Sequence, residues 1–195
     1  MIAGITGGLG CGKSTVARLL EKRGLRRLDA DAIVRDQVLT SAPVVAALST
    51  RFGAAVVGAD GIVNRPALAA RVFADDAERL WLEDLVHPGV YAAWRSAFAL
   101  APAGTAWAVE VPLLFEKGLE NWFDFTVCVA CSPDQQLARL EQRGLPRVLA
   151  GQRISKQLPL ARKIELSDFV LWNDGQPAFL EAQVDRLIEA FTVAR

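Results

Sequence analysis

Apolar positions along this 195-residue chain follow two rhythms that take turns. Short runs at 2–6, 27–29, 106–111, 125–130 and 169–172, most of them rich in β-branched or aromatic residues, predict buried strands. Between them apolar residues recur at helical spacing. Asn64 is placed to cap a helix that carries Pro66 in its first turn and Leu68 and Val72 on one face. The next run, 76–86, sets Leu80, Trp81, Leu85 and Val86 at helical spacing, and His87-Pro88 is expected to end it. Ser132-Pro133 predicts a cap and a first-position proline for a helix that Gly144 closes. A last amphipathic helix over 177–191 turns Leu180, Val184, Leu187, Ile188 and Phe191 inward. Strands alternating with helices predict an α/β fold with a mainly parallel sheet. The helical stretch between the second and third strands is too long for an ordinary crossover. It predicts a helical lobe, about 36–104, inserted into a core of 1–35 and 105–195.

The loop after the first strand brings in chemistry. Gly7-Gly8-Leu9-Gly10-Cys11-Gly12-Lys13-Ser14-Thr15 fits G-x-x-x-x-G-K-[ST] in full, follows an apolar strand and opens an amphipathic helix. Glycines let the backbone curl until successive N–H groups point into one concavity, a nest for phosphate oxygens. The helix adds its positive end to the same point. Lys13 supplies a mobile charge for the β- and γ-phosphates, and the Ser14 hydroxyl is the expected ligand for Mg²⁺. A dinucleotide-type G-x-G-x-x-G does not fit, because Lys13 stands where its last glycine belongs.

A phosphate loop states only that a nucleoside triphosphate is bound. Asp29-Ala30-Asp31 follows the second strand, at the edge where open α/β sheets place ligands. A carboxylate there can accept a proton from an attacking hydroxyl or hold metal-bound water, and it can equally cap the next helix. Between 133 and 165 lie Arg139, Arg143, Arg147, Arg153, Lys156, Arg162 and Lys163 against Asp134, Glu141 and Glu165, a local excess of +4. Arg139 and Arg143, four apart, share one helix face, and the guanidinium fork suits phosphate.

Composition narrows the partners. Lys plus Arg and Asp plus Glu number 22 each, so the net charge is zero, which argues against a nucleic-acid coat or an acidic membrane surface as partner. With 52% hydrophobic and 23% charged residues the chain is expected to bury a sizeable core. Three cysteines do not make a disulfide framework, and the default is a reducing compartment. The longest uncharged stretch, 96–109, is too short for a bilayer and carries Pro102 and Gly104. A strand-like run begins at Ile2 with no basic leader, so no signal peptide is expected and the cytoplasm is the expected location.

Three features read more plainly. Cys128 and Cys131 match C-x-x-C, but residues three apart on a strand point to opposite faces, so these read as buried thiols rather than a zinc pair. His87, the only histidine, reads first as a hydrogen bonder at a helix end and second as an acceptor contact. The five tryptophans are scattered, and Trp81 and Trp107 read as core.

The ordered set of motifs resembles the dephospho-coenzyme A kinase family over almost the whole length. The resemblance runs through the glycine loop, Asp29-Ala30-Asp31, Phe52-Gly53, Asp60-Gly61, Asn64-Arg65, Leu68, Val72-Phe73 and His87-Pro88. It continues through Val111-Pro112-Leu113-Leu114-Phe115-Glu116, Ser132-Pro133, Arg153-Ile154, Gln157-Leu158-Pro159, Ser167-Asp168-Phe169 and Asn173-Asp174-Gly175. It implies a three-layer α/β/α P-loop fold with a parallel five-stranded sheet, an inserted helical acceptor lobe, and a lid at about 144–160. It also implies transfer of the γ-phosphate of ATP to the ribose 3′-hydroxyl of dephospho-CoA, the last step of CoA synthesis, by a monomer. By that resemblance Asp31 looks like the base, while Lys13 and Arg139 stabilise the moving phosphate. Gly8, Leu9, Gly10, Cys11, Gly12, Lys13, Ser14, Thr15, Arg143, Asn173 and Gly175 hold ATP. Asp31, Phe73, His87, Pro88 and Leu113 hold the acceptor. Cys11 stands where the family usually has serine, Trp172 where a smaller or aliphatic residue is usual, and Glu110 where many members have aspartate.

Two other readings compete. One is a P-loop kinase for another acceptor. The other is a nucleotide-dependent switch, which would call for an N-K-x-D guanine motif that the sequence lacks.

Overall fold

The computed structural model describes residues 1–193. The five apolar runs form β1 (Ile2–Gly7), β2 (Arg26–Asp29), β3 (Trp107–Glu110), β4 (Phe125–Ala130) and β5 (Phe169–Trp172). They make one sheet in the order β2-β3-β1-β4-β5, with every pairing parallel. β3 is shorter than its apolar run. The hydrogen bonding nevertheless continues past both ends, from Arg26 N to Ala106 O (2.7 Å) and from Val111 N to Ile5 O (2.9 Å). A parallel sheet puts all strand carboxyl ends at one edge, so the segments after Gly7, Asp29, Glu110, Ala130 and Trp172 all leave from that edge.

In chain order the helices are α1 (Lys13–Lys22), α2 (Ala30–Ile33), α3 (Ala42–Phe52), α4 (Arg65–Ala74), α5 (Asp76–Leu100), α6 (Pro133–Gln142), α7 (Arg147–Ser155), α8 (Leu160–Leu166) and α9 (Pro177–Val193). A π-helical turn, Val34–Val38, follows α2. Asn64 caps α4 through Ala67 N (3.1 Å), and Ser132 caps α6, as the sequence pattern requires.

The chain divides into two units, one of Met1–Asp29 with residues from Ala103 onward, the other Ala30–Pro102. The second unit thus begins directly after β2, earlier than residue 36, and Asp31 belongs to it. In the first unit α1 and α9 cover one face of the sheet, closing over Ile5, Val127, Val129 and Leu171 with Val16, Leu20, Leu180, Val184 and Leu187. The other face carries α8 and the segment after β3, where Leu114 and Phe123 lie so close to Gly4 that no Cβ would fit there.

The second unit corrects one expectation. His87-Pro88 does not end a helix; α5 runs 25 residues straight through Pro88. Proline lacks only one helical hydrogen bond, and the turns on either side stay fixed by the burial of Val86, Val90 and Trp94. Gly89 permits the close approach of Val38 from the π-helical turn. Trp81 is only half-buried, edge-on to Phe52 (5.7 Å) and beneath the Arg51 guanidinium (4.5 Å), whereas Trp107 is core.

Candidate functional site

The glycine loop leaves the central strand β1 and turns into α1 through Gly12, whose φ of 103° is left-handed. A side chain at Gly12 would be strained there and would also collide with the Asn173 amide. The first N–H groups of α1 have no intrahelical acceptor and crown the loop. Lys13 Nζ folds back over the loop, donating to Gly8 O (2.9 Å) and Gly7 O (3.2 Å). These are weak neutral acceptors that an anionic phosphate would displace.

Three side chains brace this loop from outside. Gln136 of α6, a buried polar residue, donates to Leu9 O (2.6 Å). Asn173, directly after β5, donates its side-chain amide to Cys11 O (2.9 Å) while its own N–H bonds Ala130 O (2.8 Å). Arg139 donates Nη2 to Asn173 O (2.6 Å), and its Nη1 is buried with no hydrogen-bond partner. A buried unpaired guanidinium nitrogen costs free energy unless a ligand satisfies it, and an anionic oxygen is the natural acceptor. Asp174 completes the brace by accepting from Ser132 N (2.7 Å). Asn173 therefore meets the glycine loop itself, and Gly175 lies in the exposed turn beyond it. Arg143 is exposed just past α6.

The Ser14 hydroxyl, in the first turn of α1, takes no protein hydrogen bond among the described residues, which fits a side chain reserved for a cation. No three His, Cys, Asp or Glu among the described residues gather around one point. A magnesium ion here would be shared with phosphate oxygens and water, as Mg²⁺ prefers.

Arg27 joins the carboxyl ends of the neighbouring strands β2 and β3. It donates to Glu110 Oε1 (2.6 Å) and to Asp29 Oδ2 (3.1 Å), and Glu110 is buried. Both carboxylates at these strand ends thus share one guanidinium. After β3, Leu113 is half-buried and Leu114 fully buried. Lys163 corrects the reading of the basic segment. It is fully buried, donating to Pro112 O (2.7 Å) and pairing with Glu116 Oε1 (2.9 Å), which also accepts from Leu158 N (2.9 Å). Arg162 pairs with Glu165 and Arg147 with Glu141. The +4 excess is therefore partly structural: Lys163 ties the segment after β3 to α8 and to the end of the 144–160 stretch.

In the second unit, Asp31 is exposed in the first turn of α2, which packs on α5. Phe73, near the end of α4, is 52% exposed. His87 stacks on Tyr91 (5.8 Å, 23°), and Pro88 is exposed beside it. Sequence reasoning missed Gln136, Arg27, the Lys163–Glu116 pair and a contact between Cys11 and Cys131. The only advance signal was a polar residue, Gln136, one helical turn from Arg139 and Leu140.

A parallel sheet in this order, with a glycine loop opening a helix from its central strand and an arginine braced behind the loop, is the arrangement of a P-loop phosphoryl-transfer protein. The sequence model of the dephospho-CoA kinase family matches residues 1–178. Dephospho-CoA kinase of Thermosynechococcus vestitus is 44% identical over 94% of this chain and 91% of its own. That of Anaeromyxobacter dehalogenans is 43% identical over 96% and 90%. A crystal structure from Thermus thermophilus superposes with a TM-score of 0.83 at 34% identity, covering 97% of each chain. The chain belongs to the dephospho-CoA kinase family, ATP-dependent kinases that catalyse the last step of CoA biosynthesis.

Proposed function

We propose that this chain performs its family's reaction with the residues described above, moving the γ-phosphate of ATP to the ribose 3′-hydroxyl of dephospho-CoA to give CoA and ADP. The glycine-loop amides, Lys13 and the first turn of α1 hold the triphosphate, with Ser14 as the protein ligand of Mg²⁺. A magnesium ion held by Ser14 would supply charge neutralisation to the triphosphate. Arg139 uses its unsatisfied Nη1 for the phosphate charge that grows in transfer. Asp31, at the start of α2 and two residues past the end of β2, takes the proton of the attacking hydroxyl. Phe73, His87, Pro88 and Leu113 hold the acceptor, Arg143 and the Asn173–Gly175 turn serve the ATP side, and the 144–160 stretch closes over the reactants to exclude water. No covalent enzyme intermediate is needed, because phosphoryl transfer asks mainly for position and charge.

The observation that carries this reading is the buried, unpartnered Arg139 nitrogen behind a loop built for phosphate. No single helix among the described residues is long and apolar enough to cross a membrane. A cytoplasmic monomer acting on small molecules is the form that goes with this reading. Incubation with ATP, Mg²⁺ and dephospho-CoA should yield CoA by mass, in step with ADP. ADP without CoA would indicate another acceptor or a hydrolytic switch and would overturn the assignment.

A further inference from the structure

The thiol side chains of Cys11 and Cys131 have no part in the chemistry assigned above, although the Cys11 backbone belongs to the glycine loop. Cys11 lies in the glycine loop and Cys131 just past β4, yet their sulfurs are 3.3 Å apart, the Cys131 thiol donating to Cys11. Both are buried against the cluster beneath α1 and α9. Cys128 does not share this place. It lies three residues earlier on the opposite face of β4 and outside that cluster, and burial pushes its thiol up to about 11. Cys11 is held down to about 7, first by the Cys131 hydrogen bond and then by the charge of Lys13, against the opposing pull of burial. The same bond pushes Cys131 up. The pair thus sets one thiol, favoured toward its anion by its partner's hydrogen bond and the Lys13 charge, beside a second in place to resolve it.

We propose that Cys11 and Cys131 form a dithiol site that hydroperoxides convert to a disulfide, locking the phosphate loop to the end of β4. The Cys11 thiolate attacks the distal oxygen of the peroxide, the O–O bond breaks, and the departing oxide takes up a proton; with hydrogen peroxide it leaves as water. The Cys131 sulfur then attacks the sulfenic sulfur, its proton leaving with the hydroxyl as a second water. Both thiols are oxidised by two electrons in all, and the peroxide takes them up.

The bond would bring the sulfurs from 3.3 Å to about 2.05 Å. The Cys11 sulfur lies against Gly8, where a Cβ would come within 2.7 Å of it, so the thiol is packed directly on the glycine loop. The Cys11 backbone is fastened on both sides, N to Gly8 O (3.2 Å) and O to the Asn173 amide (2.9 Å). Closing the S–S distance therefore shifts the loop whose amides face the phosphates. That consequence rests on the ATP reading above, whereas formation of the bond does not. Burial means that peroxide enters only when the glycine loop opens locally, so the oxidation is slow compared with that of an exposed thiol.

The native chain is treated with hydrogen peroxide at neutral pH, its remaining thiols are alkylated after unfolding, and its peptides are weighed. The expected product links the Cys11 peptide to the Cys131 peptide, leaves Cys128 alkylated and reverts with dithiothreitol. ATP affinity should fall about tenfold or more on oxidation and recover on reduction, as expected for a displaced charge-assisted hydrogen bond. Cys131→Ala should make CoA normally when reduced and keep its ATP affinity in peroxide, and Cys128→Ala should still form the link. Free thiols throughout, or separate oxidation without a cross-link, would overturn the proposal. A link that leaves ATP affinity unchanged would overturn the locking of the loop. If the reduced chain fails to bind ATP, the nucleotide reading falls, and the peptide masses still decide the dithiol site.

Discussion

Arg27 binds carboxylates from two strands with one guanidinium, and Glu110 is the more deeply buried of the two. The side chain of Glu110 is 5% exposed, so it depends on Arg27 for its counter-charge. Removing one partner of a buried pair leaves an uncompensated charge and costs about 3–5 kcal/mol. Arg27 is 23% exposed, so solvent can partly replace it, and we expect Arg27→Ala to cost about 2–3 kcal/mol in urea denaturation. Adding Glu110→Gln should return part of that loss, because the orphaned charge is then gone. A double variant as unstable as the sum of the two single ones would show that the pair is not coupled. Nothing in the sequence marks this contact. Arg27 reads there as a strand residue, and only the β2–β3 register, with Asp29 beside Glu110, brings the three side chains together.

Helix α5 shows where periodicity stops being informative. The five strands, the caps at Asn64 and Ser132 and the final helix were all legible, because strand runs, caps and amphipathic faces are local properties of the chain. Whether Pro88 ends a helix is not local: it depends on what packs against the turns on either side. Gly89 is the test. In an isolated helix Gly→Ala gains about 1 kcal/mol. Here an added Cβ would lie 2.8 Å from Val38 Cγ2, and a β-branched neighbour has few rotamers in which to give way. Overpacking of this kind costs about 1–3 kcal/mol, so Gly89→Ala should lower the melting temperature despite the better helix former. Val38→Ala in the same background should restore part of the loss. A melting temperature raised by Gly89→Ala would mean that α5 does not depend on this approach.

At the scale of the whole chain, the residues read as serving ATP and those read as serving the acceptor, Leu113 excepted, divide between the two units. The glycine loop, Arg139, Arg143 and the Asn173–Gly175 turn belong to the unit of Met1–Asp29 and the residues from Ala103 onward, whereas Asp31, Phe73, His87 and Pro88 belong to Ala30–Pro102. The glycine loop was legible because its geometry demands particular residues at fixed spacing. Phe73, Pro88 and Leu113 were read as acceptor residues only through family resemblance, since an exposed Phe73 has no spacing rule of its own. If the work divides as the units do, kinetics should separate the two sets. Asp31→Asn should cut turnover about 10²–10⁴-fold, the range for losing a general base. His87→Ala should raise the KM for dephospho-CoA about tenfold, the loss of one good contact. Both variants should leave the KM for ATP unchanged within about twofold, because on this proposal each removes a group that serves only the acceptor. Circular dichroism melts of both would show that the fold is kept. A KM for ATP that moves as far as the KM for the acceptor would refute the division, and near-normal turnover in Asp31→Asn would remove Asp31 from the role of base.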